Sequence, residues 1–165
     1  MLRLLLIGVC TLAIFSVAQP HDASAVSGSE FQSGRIIDDG NFYNGSGLNW
    51  GDTQAFLNSK VPVCDTWGTQ SFQGTTAAEY GTSRGYPPPY TCLKDYRDDT
   101  FSIPADAYCN GFTGGNKSAA QIIHEVGVSC GVSQKIILIT LQKEQSLVTD
   151  TWPLAPQIFK ATGYA

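Results

Sequence analysis

The sequence is poor in basic residues and has almost no histidine. Its 165 residues include 10 Lys and Arg against 14 Asp and Glu, which gives a formal net charge of −4, and only two histidines. The basic residues form no cluster or stripe, so the chain lacks the electrostatic footprint of a nucleic-acid-binding protein. There is no C-x-x-C pair, and His124 is the only histidine after the first 25 residues. We therefore predict no zinc site and no other cofactor.

Long apolar runs are also lacking, except for one at the N-terminus. Residues 4–18 are apolar apart from two hydroxyl residues, follow a short start that contains Arg3, and precede the small residues at 23–25. A basic start, a short apolar run and a small-x-small site are typical of a secretory signal. We predict a cleaved signal peptide at 1–25, an exported chain and no membrane span after cleavage, with an uncleaved anchor as the alternative.

Removal of this signal would leave four cysteines, Cys64, Cys92, Cys109 and Cys130. An even number of cysteines in an exported chain indicates two disulfides, and four cysteines allow three pairings. We predict the pairs Cys64–Cys92 and Cys109–Cys130, because each would close a loop between neighbouring cysteines.

The remaining chain, about 140 residues, is long enough for one compact domain and short for two. The Ser- and Gly-rich residues 26–34 predict a flexible N-terminal segment, and residues 35–165 a single domain. Residues 65–90 are rich in Gly, Thr, Ser and aromatics, which predicts a long loop with little regular structure. The acids at 95–99 predict a turn.

Two helices are predicted in close succession towards the C-terminus. The first runs from about 118 to 129, with Asn116 or Ser118 as its N-cap and Gly131 just after its end. The second follows Ser133 as its N-cap and runs to about residue 147. A helix, a Gly turn and a second apolar helix together form an αα-corner.

The second helix carries one acid on its apolar side. At about 100° per residue, Ile137, Leu141 and Val148 fall within about 40° of one another. Glu144 lies about 20° outside that arc. A carboxylate on such a stripe costs free energy unless it is paired, protonated or exposed in a cleft. Glu144 is therefore a candidate catalytic acid. The alternative is a structural role at the helix end, as a cap or in an ion pair with Lys143 or Lys160.

Residues 118–147 resemble the catalytic-helix segment of soluble lytic transglycosylases and goose-type lysozymes. In that superfamily a turn of the type G-V-x-x leads into an apolar helix that ends in Q-x-E-S or R-Q-E-S. Gly131 begins the turn here, and Glu144 stands at the catalytic glutamate. The resemblance implies a mainly α fold, with a small lysozyme-like helical core and an irregular, disulfide-pinned N-terminal half. It also implies cleavage of peptidoglycan, a cell-wall glycan, with Glu144 as general acid and base.

The sequence departs from this pattern after the glutamate. Gln145 stands where the superfamily has serine, Ser146 follows one place later, and the Gly-Leu-Met-Gln type of cleft segment is absent. We therefore expect a domain that is truncated at its C-terminus. Trp152 and Tyr164 lie close to Glu144 in sequence and are candidates for contact with sugar. The candidate substrate-binding residues are thus Gln145, Ser146, Trp152 and Tyr164.

Further acids and aromatics extend this hypothesis. A transglycosylase needs one acid, because a hydroxyl of the sugar completes the displacement, whereas a hydrolase needs a second carboxylate. Asp150 and the acids at 95–99 are the candidates for that second group. The aromatic loop residues either stack on sugar rings or pack beneath the loop; they are Trp67, Phe72, Tyr80, Tyr86 and Tyr90.

Five blocks of the sequence, at 35–39, 54–57, 90–95, 120–123 and 141–153, also resemble a family of exported bacterial proteins described as hypothetical or haemagglutinin-like. This resemblance implies a secreted or cell-wall-associated protein. It supports the alternative function, a non-enzymatic cell-surface or adhesion module that binds glycans. Neither resemblance predicts an oligomeric state.

Overall fold

The computed structural model describes Gly34 and residues 36–163. The chain divides into two units, Met1–Ile36 and Ile37–Ala165, and all the helices and strands given below belong to the second. The predicted signal peptide and most of the flexible N-terminal segment lie outside the described residues.

Within the described residues, α-helices alternate with two small antiparallel sheets. Strand β1 pairs with β2, and strand β3 pairs with β4. A single 3-10 turn, Leu93–Asp95, precedes β3. The elements are α1 Asp39–Phe42, α2 Trp50–Lys60, β1 Ser71–Phe72, β2 Thr75–Thr76, α3 Ala77–Ser83, β3 Arg97–Thr100, β4 Gly115–Ser118, α4 Ala119–Cys130, α5 Gln134–Gln145 and α6 Ala155–Phe159.

The predicted mainly α, lysozyme-like fold is wrong. Of the residues that the structure describes, 42% are helical, counting the 3-10 turn, and 11% are in strands, which makes a small mixed α/β fold. Strand β3 reads Arg-Asp-Asp-Thr, with no alternation of apolar and polar residues that would predict a strand. It exists because it pairs with β4, from Arg97 opposite Ser118 to Thr100 opposite Gly115. The predicted turn at 95–99 is therefore partly strand.

The segment 65–90 also has more regular structure than predicted. Gln73 and Gly74 both have positive φ, 50° and 82°, as the tight turn between β1 and β2 requires. Helix α3 then begins with a reciprocal cap. The backbone N–H of Glu79 donates to Thr76 Oγ1 at 3.2 Å, and Glu79 Oε2 accepts from the N–H of Thr76 at 2.9 Å. The sequence motif Thr-x-x-Glu at residues 76–79 is typical of such a cap.

The predicted αα-corner is confirmed, with helix ends within about two residues of those expected. Ser118 caps α4 by accepting from the N–H of Gln121 at 3.3 Å. Gly131 ends α4 in the left-handed conformation with φ 68°. Ser133 precedes α5 as expected, although its side chain makes no capping hydrogen bond. Helix α5 stops earlier than predicted, at the left-handed Ser146.

Helices α2, α4 and α5 and the segment after α5 build the core. Helix α2 packs on α4, and α4 packs on α5. Each large apolar side chain that is fully buried contributes about 1.5–3 kcal/mol to folding. The buried cluster consists of Leu57, Leu93, Ala119, Ala120, Ile123, Leu138, Leu141, Leu147 and Val148.

One polar side chain inside this core joins three segments. Gln134 is fully buried, and its Oε1 accepts from the N–H of Leu48 at 3.0 Å. Its Nε2 donates to the carbonyl oxygen of Gly45 and, at 3.3 Å, to that of His124. Gly127 makes room for this amide, since a Cβ there would lie 2.6 Å from Gln134 Nε2. The amide satisfies backbone groups that would otherwise be buried without partners.

Two disulfides pair Cys64 with Cys92 and Cys109 with Cys130, as predicted. The first links the segment after α2 to the 3-10 turn, and the second links the loop before β4 to the last residue of α4. Disulfides of this kind indicate an oxidising compartment. From residue 36 to residue 163, no helix has the length and apolar character that crossing a membrane requires.

Candidate functional site

Glu144 lies in the last turn of α5 and is half-exposed. Its side chain is 35% exposed, and Oε1 lies 3.6 Å from Nζ of the well-exposed Lys143. The sequence analysis expected it on the buried stripe with Leu141 and Val148. However, the helix ends at Gln145, so the 100° spacing does not apply to Val148, which reaches the core from the turn that follows.

The turn after α6 covers one side of this carboxylate. Gly163 has φ 78°, and a Cβ at this position would lie 2.5 Å from Oε2 and 3.0 Å from Cδ of Glu144. The Gly163 backbone therefore lies directly against the acid. Glu144 is held between this turn and Lys143 while part of its side chain remains accessible to solvent.

The proposed second carboxylates each have a structural partner. Asp150 accepts from the N–H of Trp152 at 2.9 Å and from Nε2 of Gln157 at 2.8 Å, which shapes the loop before α6. The acids at 95–99 bond within their own segment or to β4. Asp95 pairs with Lys94, Asp98 accepts from the hydroxyl of Tyr96, and Asp99 accepts from Nδ2 of Asn116.

The candidate substrate-binding residues after Glu144 take different positions. Gln145 is half-buried, and its carbonyl oxygen accepts from Nε2 of Gln157 at 2.9 Å. Ser146 is exposed and ends the helix with φ 60°. Tyr164 lies outside the described residues. Gln145 and Ser146 thus lie next to Glu144, but the end of the helix sets the conformation and contacts of their backbone.

Trp152 is half-buried in a cluster of aromatic rings. Its ring centroid lies 4.9 Å from that of Phe72, 6.0 Å from that of Tyr80 and 6.1 Å from that of Tyr90. The contacts with Phe72 and Tyr80 are edge-to-face, a geometry that stabilises aromatic packing. This cluster anchors the β1–β2 turn and α3 to the segment before α6. Phe72 and Tyr80 thus pack beneath the loop, one of the two roles considered for the loop aromatics, and Trp152, a candidate for contact with sugar, packs against them.

A groove of about 720 Å³ is lined by aromatic and proline side chains, Tyr90 among them. Phe159 is 78% exposed and Tyr86 is 39% exposed. Tyr96 and Phe159 were missed in the sequence, because they come from the residue before β3 and from the end of α6 and line the same groove as Tyr86 only in the folded chain. We call this the aromatic–proline groove; its lining includes Tyr86, Pro87, Pro89, Tyr90, Tyr96, Arg97, Pro153 and Phe159.

Among the carboxylates of the described residues, Asp65 is the buried one. Burial works to raise its pKa, but hydrogen bonds from the backbone of Gln70 and Thr69 and from the Thr69 hydroxyl outweigh burial, so its pKa lies below 3.8. The backbone N–H of Thr69 and that of Gln70 each donate at 2.8 Å. Asp65 is therefore ionised at neutral pH and organises a turn rather than supplying a proton.

Groups of three or more His, Cys, Asp or Glu that could hold a metal ion do not occur in the part of the chain that the structure describes. Comparison of the chain with protein-family models, with curated proteins and with solved structures finds no match.

Proposed function

We propose that this protein is exported to the cell wall and cleaves the glycan strands of peptidoglycan, with Glu144 as general acid and base. The observation that carries the proposal is the position of Glu144, held against the backbone of Gly163 and yet accessible. A proton donor must be both positioned and within reach of the bridging oxygen. The two disulfides are consistent with export.

A single acid suffices for the transglycosylase form of this reaction. The protonated Glu144 would donate its proton to the bridging oxygen while the bond from that oxygen to the anomeric carbon breaks. The carboxylate would then accept a proton from a hydroxyl of the same sugar, whose oxygen bonds to the anomeric carbon and closes a second ring. No water is consumed and Glu144 returns to its protonated form. Because Asp150 and the acids at 95–99 have structural partners, we favour this form over hydrolysis, which needs a second carboxylate.

The aromatic–proline groove favours a second candidate, a secreted module that binds glycans without cleaving them. Exposed rings such as Tyr86 and Phe159 offer flat apolar faces. Arg97, whose Nε and Nη2 donate to Asn116, lies beside them as a positive charge. Apolar and aromatic lining with a few polar groups is typical of ligand sites. Glu144 is not among the residues that line this groove. Binding there therefore does not require catalysis.

Purified protein and its variants on cell-wall sacculi test both candidates. Soluble muropeptides measure cleavage, and co-sedimentation measures binding. We expect Glu144→Gln to abolish release while leaving sedimentation unchanged. Glu125→Gln is the matched control, since Glu125 is a partly exposed glutamate of the neighbouring helix α4 that pairs with Lys117. Equal release by the wild type and Glu144→Gln contradicts catalysis by Glu144.

Phe159→Ala separates the second candidate from the first. If the wild type sediments with sacculi but releases nothing, and Phe159→Ala no longer sediments, the protein is a binding module. If the wild type neither sediments nor releases muropeptides, both candidates are wrong.

A further inference from the structure

A second groove, of about 620 Å³, is lined by residues of α2 and α5 and of the segments that flank them. Glu144 is not among its lining residues, although Lys143, which pairs with Glu144, is one of them. We call it the lysine-rimmed groove, and it is lined by Leu48, Phe56, Lys60, Lys135, Leu138, Ile139, Gln142, Lys143, Val148 and Thr149.

The surface of this groove is apolar. Leu138 and Val148 are each 5% exposed and belong to the core cluster, so their side chains form its floor. Phe56 and Ile139 stand at its sides and are 37% and 60% exposed. An aromatic and a branched aliphatic side chain thus remain in water next to a concave apolar floor, which marks a site where apolar surface can be buried.

The charged side chains that line the groove are all lysines, and one of them, Lys143, pairs with Glu144 outside the lining. Lys60, Lys135 and Lys143 line it, and no Asp or Glu is among its lining residues, although the chain as a whole has a net charge of −4. Lys60 lies over the ring of Phe56 with Nζ 5.1 Å from the centroid. Lys135 makes no hydrogen bond or ion pair with any residue from 36 to 163. The groove is therefore complementary to an anion.

The two uncharged polar side chains of the lining bond to each other. Gln142 Nε2 donates to Thr149 Oγ1 at 3.0 Å, and Gln142 Oε1 accepts from the N–H of Thr149 at 3.2 Å. The hydrogen-bonding groups of these two side chains therefore need no ligand as a partner. The ammonium groups of Lys60 and Lys135, and that of Lys143 beside its partner Glu144, are thus the polar groups of the lining left to contact a bound molecule.

We propose that the lysine-rimmed groove binds a single-chain anionic amphiphile of the fatty-acid class, with the alkyl chain on the apolar floor and the carboxylate at the rim lysines. Its volume falls within the range of small-molecule sites, roughly 300–1,000 Å³. An amphipathic helix, about 10 Å across with its side chains, needs a longer surface. The proposal does not depend on catalysis by Glu144 or on glycan binding.

Fluorescence of dansylaminoundecanoate on titration with the full chain tests the proposal. Dansylglycine, which keeps the fluorophore and carboxylate but lacks the alkyl chain, and the carboxamide of the long probe are the ligand controls. We expect saturable binding of the long acid, weaker binding of its amide, and none of dansylglycine. Ile139→Asp should weaken binding of the long acid at least tenfold, and Val128→Asp, at a 49% exposed position outside the groove, should leave it unchanged.

A triple variant, K60Q/K135Q/K143Q, tests the role of the charges. Exposed charge pairs are worth little singly, so we expect about a threefold loss per lysine for the acid. The triple variant should then bind the acid no better than the amide, whereas Lys160→Gln, outside the groove, should retain the preference. Equal binding of acid and amide by the wild type overturns the proposal. Binding to phosphatidylglycerol vesicles without binding of the monomeric probe overturns it too, in favour of a membrane surface.

Discussion

Gly163 and Glu144 are in contact through the Gly163 backbone, so closely that a methyl group at Gly163 would lie 2.5 Å from the Glu144 carboxylate oxygen Oε2. No side chain other than hydrogen fits there without moving the acid. Gly163 also has φ 78°, in the left-handed region that other residues adopt at a cost. The turn after α6 therefore depends on glycine for two separate reasons, and one of them bears on the candidate catalytic acid.

Gly163→Ala should displace the Glu144 side chain. The matched control is Gly74→Ala, because Gly74 has a similar φ of 82° but open space around its Cα. Both variants should cost about 1 kcal/mol in unfolding free energy from the left-handed conformation. Only Gly163→Ala should shift the NMR resonance of the Glu144 carboxyl carbon and reduce muropeptide release. An unchanged Glu144 resonance in that variant would show that the contact does not hold the acid.

Gln134→Glu should destabilise the core at neutral pH by about 3–5 kcal/mol, the cost of an unpaired buried charge. The new carboxylate would face the carbonyl oxygens of Gly45 and His124, which now accept from the Gln134 amide. Gln142→Glu on the same helix, whose side chain bonds to Thr149 at the solvent-exposed surface, should cost far less. Chemical denaturation of both variants measures the difference.

The pH dependence of Gln134→Glu has a definite sign. Burial raises the pKa of a carboxyl group, so the folded variant favours the protonated form. The loss of unfolding free energy in this variant should therefore shrink as the pH falls through the raised pKa. Below that pKa the carboxyl group is protonated, and its O–H again provides one hydrogen-bond donor. A deficit that stays constant from neutral to acid pH would contradict the burial of this side chain.

Asp65→Asn should destabilise the protein at neutral pH and have little effect in acid. The folded-state pKa of Asp65 lies below its ordinary value, so its ionised form adds stability above about pH 4 that is lost as the pH falls through the folded value. Removing acceptor capacity from a buried, hydrogen-bonded carboxylate costs about 1–3 kcal/mol. Unfolding curves at neutral and acid pH measure the difference, and equal deficits at both would count against the ionised role. Asp106→Asn, at an exposed turn with two such bonds, should change stability less.

Local chemistry made part of this fold predictable. Ser118 and Gly131 bound α4 because a side-chain oxygen and a left-handed glycine satisfy the free backbone groups of its two ends. The disulfide pairs were predictable because neighbouring cysteines closed short loops. The cap of α3, Thr76 with Glu79, was equally present in the sequence but was overlooked inside a segment of loop-like composition.

The candidate site was less predictable, because helical periodicity describes a residue only while the helix continues. Ser146 adopts the left-handed conformation and ends α5, so the position of Val148 says nothing about the face on which Glu144 lies. The backbone of Gly163, which covers Glu144, is distant in the sequence and has no side chain whose pattern could be recognised. Tyr86, Tyr96 and Phe159 likewise share a groove through contacts that no spacing encodes.

The chain's own sequence determined both ends of α4, the start of α5, the cysteine pairing and the position of one acid near a helix end, since caps and loop closures depend on neighbours along the chain. Tertiary structure decided the pairing of the polar strands β3 and β4, the half-exposure of Glu144 and the two grooves. These features arise when distant segments bury surface together, and the free energy of that burial belongs to the pair of segments rather than to either one.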